Sequence, residues 1–297
     1  MHRVFVTGGT GFVGRAVIQA LRGEGYIVRC LVRRGSEPDL HGLGAIERVE
    51  GDVLVRHGLA DEMGGCQAVV HLVGIIREDP ALGSSFHTVH TQGTRNVLDA
   101  AAEAGIRRYL HMSALGTRPG ARARYHQTKW AAEEAVRASG LAWTIFRPSI
   151  IYGRGDQFVT MLAGMIKRFP VVPVIGSGRQ RLQPVPVEHV AEGFARALAQ
   201  STTEKQTYEV AGPDPVSLVE LLELIGDVLG RRVRMVHFPL GLMRPLTRLL
   251  YPLPGFPVTP DQLLMLEEDN VGDPATFNAA FGIRPEPLRI GLRRMLE

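Results

Sequence analysis

Residues 4–14 read VFVTGGTGFVG, and the first half of the chain is organised around them. Val4, Phe5 and Val6 form a short apolar, β-favouring run, long enough for one buried strand. Four glycines follow at once, Gly8, Gly9, Gly11 and Gly14, and a helical pattern opens at Phe12 and Val13. Strand, glycine turn and helix in that order set a helix N-terminus against a pyrophosphate, whose charge meets free N–H groups and the positive end of the helix dipole. The spacing assigns each glycine a task. Gly8 and Gly9 allow a turn that a Cβ would block, Gly11 admits the phosphates to the backbone beside Thr10, and Gly14 lets the helix lie close.

The cluster satisfies two spacings. Gly9, Gly11 and Gly14 fit G-x-G-x-x-G, and Gly8, Gly11 and Gly14 fit the G-x-x-G-x-x-G form of short-chain dehydrogenases. The competing reading is a glycine-rich turn with no ligand. Its place directly after a strand and at the opening of a helix makes it a dinucleotide site.

Composition narrows the class. A chain of 297 residues, 45% hydrophobic and 22% charged, has the make-up of a soluble globular protein with a real core, as one large domain or two unequal ones. The net charge is +4, and Lys129, Lys167 and Lys205 are the only lysines, so dispersed arginines carry the positive charge. No basic block points to nucleic acid. Cys30 and Cys66 stand in no metal or redox spacing and read as reduced thiols. His87 and His90 are three apart, but no cysteine or carboxylate nearby completes a metal set. No signal peptide precedes the first strand and no apolar run reaches spanning length, so the expected compartment is the cytoplasm.

Strand and helix patterns alternate through the first half. Strands are expected at 26–32, 46–50, 68–72, 108–113 and 143–146, with the clearest later helix at 93–104. The pattern is that of an α/β fold, a Rossmann-type doubly wound parallel sheet with helices on both faces, over residues 1–150. The end of the second strand decides the dinucleotide. An NAD site carries an acidic residue about twenty positions past the glycines. Here Arg33 and Arg34 stand there instead. A guanidinium fork suits a 2′-phosphate, which gives NADP(H) as the expected cofactor; solvated surface charge is the alternative. Asp52, followed by Val53, reads either as an acceptor for the adenine amino group or as a helix N-cap. Leu72, Val73 and Gly74 are expected to pass under the adenine-side ribose.

The chemistry is expected at Tyr125-His-Gln-Thr-Lys129. Tyr125 and Lys129, four apart on a helix, share one face. A nearby ammonium favours the phenolate, and the same lysine can hold the nicotinamide ribose, which sets the phenol beside the hydride donor. With six tyrosines and three lysines, chance produces this spacing in only about 6% of such chains. His126, one position on, is expected to face away from Tyr125. Ser113 ends the fifth strand, and its hydroxyl either binds the substrate oxygen or caps a turn.

With these residues in view, the chain resembles the extended and atypical short-chain dehydrogenase/reductases, the NAD(P)-dependent epimerase/dehydratase group. The likeness rests on glycines 8, 11 and 14, on Ser113, Tyr125 and Lys129, and on Arg147-Pro148-Ser149. His90-Thr-Gln-Gly-Thr-Arg-Asn96, Ser113-Ala-Leu-Gly116, Gly155-Asp-Gln-Phe158 and Gln183-Pro-Val-Pro-Val187 are similar to the branch holding the nucleotide-binding accessory subunit of mitochondrial complex I and its bacterial relatives. The resemblance implies an NADP(H) site that includes Phe12, Val13, Pro148 and Ile150. It places Ser113, Tyr125 and Lys129 in the catalytic positions. At His90 the chain departs from the asparagine usual in the family's Asn-x-x-Gly-Thr segment, a position that helps order the active-site helix. Two functions follow: hydride transfer between nicotinamide and a carbonyl or alcohol, or a non-catalytic nucleotide-binding accessory protein at a respiratory complex or in a quinone-related process.

Beyond residue 150 the pattern changes. Helices are expected at 156–167, 190–198 and 216–229, with short strands at 171–175, 208–210 and 233–236, as a smaller substrate or partner lobe over 151–297 that closes a cleft and has elements packed back on the sheet domain. Arg181 is a candidate for an anionic substrate group, with a structural or surface role as the alternative. The stretch 238–258 is crowded with Leu240, Leu242, Met243, Leu246, Leu249, Leu250 and Phe256, with Arg244 and Arg248 among them. It is expected to be core or lid; a peripheral membrane or partner-binding face is the alternative, in which case the protein sits against the inner membrane.

Overall fold

The computed structural model describes residues 2–35, 43–251 and 258–297. Its first six strands are β1 (Arg3–Thr7), β2 (Ile27–Val32), β3 (Glu47–Glu50), β4 (Ala68–His71), β5 (Arg108–Met112) and β6 (Ala142–Pro148). Between them lie α1 (Phe12–Gly23), α2 (Leu59–Glu62), α3 (Gly93–Glu103) and α4 (Arg124–Ala138). One seven-stranded sheet runs in the order Gln206–Val210, β6, β5, β4, β1, β2, β3, with every pairing parallel. Strand order therefore reverses between β1 and β4. Such a switch point, at the carboxyl ends of the strands, is where doubly wound sheets bind ligands.

A parallel sheet is buried on both faces, which is why its strands read as near-continuous apolar runs. Phe5, Leu31, Val69, Tyr109 and Ile145 pack with Leu59 of α2, Val97 and Ala101 of α3 and Val136 of α4 in one core cluster. Their strand neighbours Val4, Val6, Cys30 and Phe146 point the other way and are buried as well. On that side α1 packs against the helix Val187–Ala197, and Phe146 meets Phe194, Tyr208, Phe277 and Phe281 in an aromatic cluster.

The strand Gln206–Val210 and the helix Val187–Ala197 are elements from beyond residue 150 that belong to the sheet unit. Tyr208 pairs in register with Phe146, and Phe194 lies tilted against the same ring at 4.4 Å. Aromatic burial at the sheet edge recruits these segments from beyond residue 150. The first unit accordingly comprises Met1–Pro148, Val187–Val210 and Ala275–Ile283, and the second comprises Ser149–Pro186, Ala211–Pro274 and Arg284–Glu297.

The second unit has its own core. Val159, Leu162 and Ile166 from the helix Phe158–Arg168, Leu221, Leu222 and Ile225 from Leu218–Val228, and Leu288 and Leu292 from Leu288–Leu296 form it. Asp156 caps the first helix, its carboxylate accepting from the N–H groups of Val159 and Thr160. Ser217 and Glu220 close a capping box on the second. The helix Leu240–Leu250 is not core, one of the two roles expected for this stretch beside a lid. Thr247 is its one buried residue, and Leu242, Leu246 and Leu249 are exposed. Inward contacts need only one stripe of a helix, and here leucines occupy a second, outer stripe as well. Phe256 and the rest of 252–257 lie outside the described residues. Among the described residues no helix is long and apolar enough to cross a membrane.

Candidate active site

The glycine loop leaves β1 through Gly8, whose φ of +76° favours glycine. A Cβ there would also press on the backbone of Leu72 and Val73 at 3.0 Å, so the ends of β1 and β4 touch at this point. At Gly14 a Cβ would run into the Gly9 backbone at 2.6 Å, and the first turn of α1 therefore lies directly on the loop. Gly9 is a matter of packing: a Cβ would strike Cys30 Sγ at 2.6 Å and Ile18 at 2.7 Å. Cys30 is buried there, and desolvation pushes its thiol up to about 11, which leaves it inert.

Gly11 is different. Its φ is −75°, and a Cβ would meet only the Gly8 carbonyl oxygen, at 3.4 Å. The space before it is clear of protein atoms. Gly11 is also the N-cap of α1, with no side-chain cap and no acidic residue in the first turn. A cradle that a side chain would fill, facing the N-terminus of a twelve-residue helix, fits a pyrophosphate. Thr10, Gly11, Phe12 and Val13 line its accessible side, whereas Gly14 is buried. Arg33 and Arg34 follow the last residue of β2 and are exposed, with Arg34 4.0 Å from Glu50. Asp52 is not a helix cap. It accepts from Leu54 N–H at 2.9 Å in a local turn, because the backbone does not enter α2 until Leu59, after Gly58. Val53 is buried, and its carbonyl accepts from Asn96.

The strand end that starts against Gly8 finishes against the lysine. A Cβ on Gly74 would lie 3.0 Å from Lys129 Nζ, so Leu72, Val73 and Gly74 span the distance from the glycine loop to α4. Lys129 is buried, and its ammonium donates to the Met112 carbonyl at 3.1 Å. Burial lowers its pKa to about 8, against the opposing pull of Glu133. Tyr125 stands one turn earlier, with part of its surface exposed. The expected depression of the phenol by Lys129 is absent: desolvation pushes Tyr125 up to about 12. The ammonium is turned to the Met112 carbonyl, and loss of water around the ring dominates. His126 does not face away from Tyr125 either. Its ring folds back to an edge contact at 5.2 Å, with Gly116 (φ +85°) leaving it room.

Ser113 does not donate to a turn carbonyl. Its hydroxyl donates to Glu133 Oε1 at 2.6 Å, and Glu133, fully buried, also receives Arg147 on both oxygens and Arg137 on one. Two guanidinium groups and a hydroxyl satisfy a carboxylate that would otherwise be costly to bury. Pro148 ends β6, with its carbonyl accepting from Leu115 N–H. Ile150 lies in the second unit, where its carbonyl accepts from Val185 N–H. Arg181 is exposed, with its backbone N–H on Asp269.

His90 is the residue whose role sequence reasoning missed. It sits in a π-helical turn, His87–Gln92, that runs into α3. Nδ1 lies 2.9 Å from Thr128 Oγ1 on α4, and Nε2 accepts from Ile75 N–H at 3.0 Å. Thr128 Oγ1 also lies 3.0 Å from the carbonyls of Arg124 and Tyr125. With the threonine proton given to the helix, a proton on Nδ1 satisfies every member of the set. The imidazole is edge-on to Tyr125 at 5.2 Å and stacked on Phe86 at 5.5 Å. Burial and the Lys129 charge lower its pKa to about 2, so it is neutral. His90 thus fastens the active-site helix to the segment after β4, which is the ordering task of the asparagine it replaces. His87, three residues earlier, is exposed and does not join it.

A Rossmann sheet with a phosphate cradle at its switch point, and a Tyr-x-x-x-Lys helix one strand away, defines a dinucleotide-dependent oxidoreductase or epimerase. Comparison with known proteins agrees: residues 4–211 match the NAD dependent epimerase/dehydratase family, and the chain belongs to it. It is 29% identical to the mitochondrial NADH dehydrogenase [ubiquinone] 1 alpha subcomplex subunit 9 of Arabidopsis thaliana, covering 89% of this chain and 68% of that one. It is 31% identical to the ceramide reductase of Caulobacter vibrioides (80% and 73%). Identity is also 31% to the 4-hydroxy-2-methyl-3-oxo-4-farnesyl-3,4-dihydroquinoline-1-oxide ketoreductase of Stigmatella aurantiaca (82% and 78%). Its fold matches that of the dTDP-glucose 4,6-dehydratase of Streptomyces venezuelae, solved with NAD, at a TM-score of 0.74 and 22% identity over 99% of this chain and 95% of that one. The protein is an enzyme of this oxidoreductase/epimerase type, and its cofactor is a nicotinamide dinucleotide.

Proposed function

We propose that the protein is an NADP(H)-dependent carbonyl reductase acting on a lipophilic ketone. The observation that carries the reading is the placement of Tyr125 one turn before the buried Lys129 on α4, with the Lys129 ammonium beside Gly74 and the Met112 carbonyl. The phenol of Tyr125 carries the proton that an alkoxide forming from a carbonyl takes up. When bound, the dinucleotide would supply the hydride. Gly8, Gly11 and the N-terminus of α1 would hold its pyrophosphate, and Arg33, aided by Arg34, would take the 2′-phosphate. Lys129 would hold the nicotinamide ribose and keep a positive charge beside the phenol. Tyr125 gives its proton to the substrate oxygen. His90 and Thr128 hold the helix turn that presents the phenol, and Ser113 after β5 and Arg147 of β6, by fixing Glu133, anchor the far half of that helix to the sheet. Pro148, at the end of β6, extends the nicotinamide side.

The substrate class is supported by two relatives, each 31% identical, whose names are those of reductases of a ceramide and of a farnesyl-bearing quinoline. The similarity to a complex I subunit supports a second reading, in which the bound nucleotide is structural. The test is stripped, purified protein offered NADPH or NADH with a panel of long-chain and isoprenoid ketones and a panel of nucleotide sugars. Ketone-dependent oxidation of NADPH is expected, with tighter binding of NADPH than NADH in calorimetry. Arg33→Asp is expected to reverse that preference, at about 2–3 kcal/mol for one charge-assisted contact made repulsive. Equal affinity for the two nucleotides refutes the NADP(H) assignment. Turnover of nucleotide sugars alone refutes the substrate class, and a nucleotide that neither exchanges nor is oxidised favours the accessory reading.

A further inference from the structure

The exposed leucines of Leu240–Leu250 are not absorbed by the chemistry. Leu242, Leu246 and Leu249 recur at i, i+4 and i+7 and form one outer stripe, with Leu242 59% and Leu249 75% exposed. The strand just before the helix, Met235–Phe238, adds exposed Val236 and Phe238. Single exposed apolar residues need no explanation, but five along two consecutive elements form a surface that water does not favour.

The charge on the same segment names the occupant. From 231 to 251 the chain carries Arg231, Arg232, Arg234, Arg244 and Arg248, all exposed, and no acidic residue. Arg244 is held by Glu267 from a later segment. The other four have no acidic partner within the segment itself. A second copy of this chain would bring like-charged arginine groups together across the contact, which disfavours self-association. Apolar residues that enter the acyl boundary, with guanidinium groups at headgroup level, suit an anionic bilayer surface. We infer that Met235–Phe238 and Leu240–Leu250 form a docking face for anionic phospholipid membranes, with Leu242, Leu246, Leu249 and Phe238 inserted at the interface. The inference is independent of the reaction proposed above, since it requires neither cofactor nor substrate.

The experiment is sedimentation of the full chain with unilamellar vesicles of phosphatidylcholine alone or of phosphatidylcholine with phosphatidylglycerol. Binding is expected to the phosphatidylglycerol vesicles only, weakening as salt is raised. Leu242→Ser with Leu249→Ser is expected to lower the partition coefficient about tenfold or more, since two buried side chains are withdrawn. Arg232→Gln with Arg234→Gln is expected to lower it as well, and only on anionic vesicles. All four positions are exposed, so the variants are expected to fold, which wild-type nucleotide binding verifies. No sedimentation with anionic vesicles at low salt overturns the inference. Equal binding to neutral vesicles overturns the charge argument and with it the assignment. A wild type that is dimeric by light scattering and made monomeric by the leucine variant overturns it in favour of a self-interface.

Discussion

At the scale of single residues the site is a balance between burial and charge. Desolvation pushes the Tyr125 phenol up, and desolvation makes the Lys129 ammonium costly to bury. Removing only the phenolic oxygen, Tyr125→Phe, is expected to leave NADPH affinity unchanged and to lower turnover of a ketone substrate by roughly 10²–10⁴. Steady-state rates beside a binding isotherm check it, and a rate that survives the change defeats the mechanism. Lys129 gives a prediction of the opposite kind. Its folded pKa of about 8 lies below the ordinary 10.5, so in the stripped protein the unfolded chain holds the extra proton between those values. Stability therefore rises across that window, and at pH 7 the buried ammonium is a net cost of about 3 kcal/mol. Lys129→Met is expected to stabilise the nucleotide-free protein by about 2–3 kcal/mol at pH 7 and by nothing above pH 10.5, while weakening nucleotide binding. Urea melts at the two pH values measure it.

At the scale of elements, the loop between β1 and α1 separates binding from folding within four residues. Gly11 has an ordinary extended backbone and open space before it, so Gly11→Val is expected to fold at a cost of about 1 kcal/mol as a poorer cap and to lose NADPH binding. Gly14 faces the Gly9 backbone, so Gly14→Val is expected to destabilise by about 1–3 kcal/mol through overpacking. Melting curves and calorimetry on the pair check the contrast. This loop was legible because local chemistry specifies it: apolar strand, glycines, apolar helix. The five other strands of the first half were legible for the same reason, to within two residues or so at their ends. That elements beyond residue 150 pack back on the sheet was expected, but which ones was not legible, since nothing in residues 206–210 says that their partner is β6, some sixty positions earlier. The π-helical turn at His87–Gln92 was not legible, because its register is set by His90 reaching Ile75 and Thr128 rather than by periodicity. Ser113 was visible as a candidate, but its direction was decided by Glu133, twenty residues away and unremarked in the sequence. The stretch from 240 to 250 was crowded with leucines, and hydropathy alone does not say which stripe turns outward.

At the scale of the whole molecule, the chain keeps His71, His90 and His111 neutral in its interior, and acid should find them. His71, His90 and His111 are each 1% exposed or less. His71 bonds Thr7 and Thr94 and stacks against His111 across paired positions of β4 and β5. Desolvation holds His71 at about 3 and His90 at about 2, and drives His111 well below its ordinary value; the Lys129 charge acts in the same direction on all three. In the unfolded chain each titrates near 6.5. Below that value the unfolded state binds protons that the native state refuses, so stability is intact above pH 6.5 and lost as pH falls through it. Each histidine contributes about 1.4 kcal/mol per pH unit, hence about 4 kcal/mol per unit for the three well below pH 6.5. A domain with an ordinary stability of roughly 5–15 kcal/mol then unfolds within a few pH units of neutrality. The interval from pH 6 to pH 5 isolates the effect, since it lies above the range in which exposed carboxylates titrate. His111→Phe removes one of the three in a ring of similar shape. It is expected to lower the slope of unfolding free energy against pH by about a third, in urea melts at half-unit steps, with little change at pH 8. An unchanged slope would mean that the native state admits the proton at His111, which its burial between Tyr109 and His71 forbids.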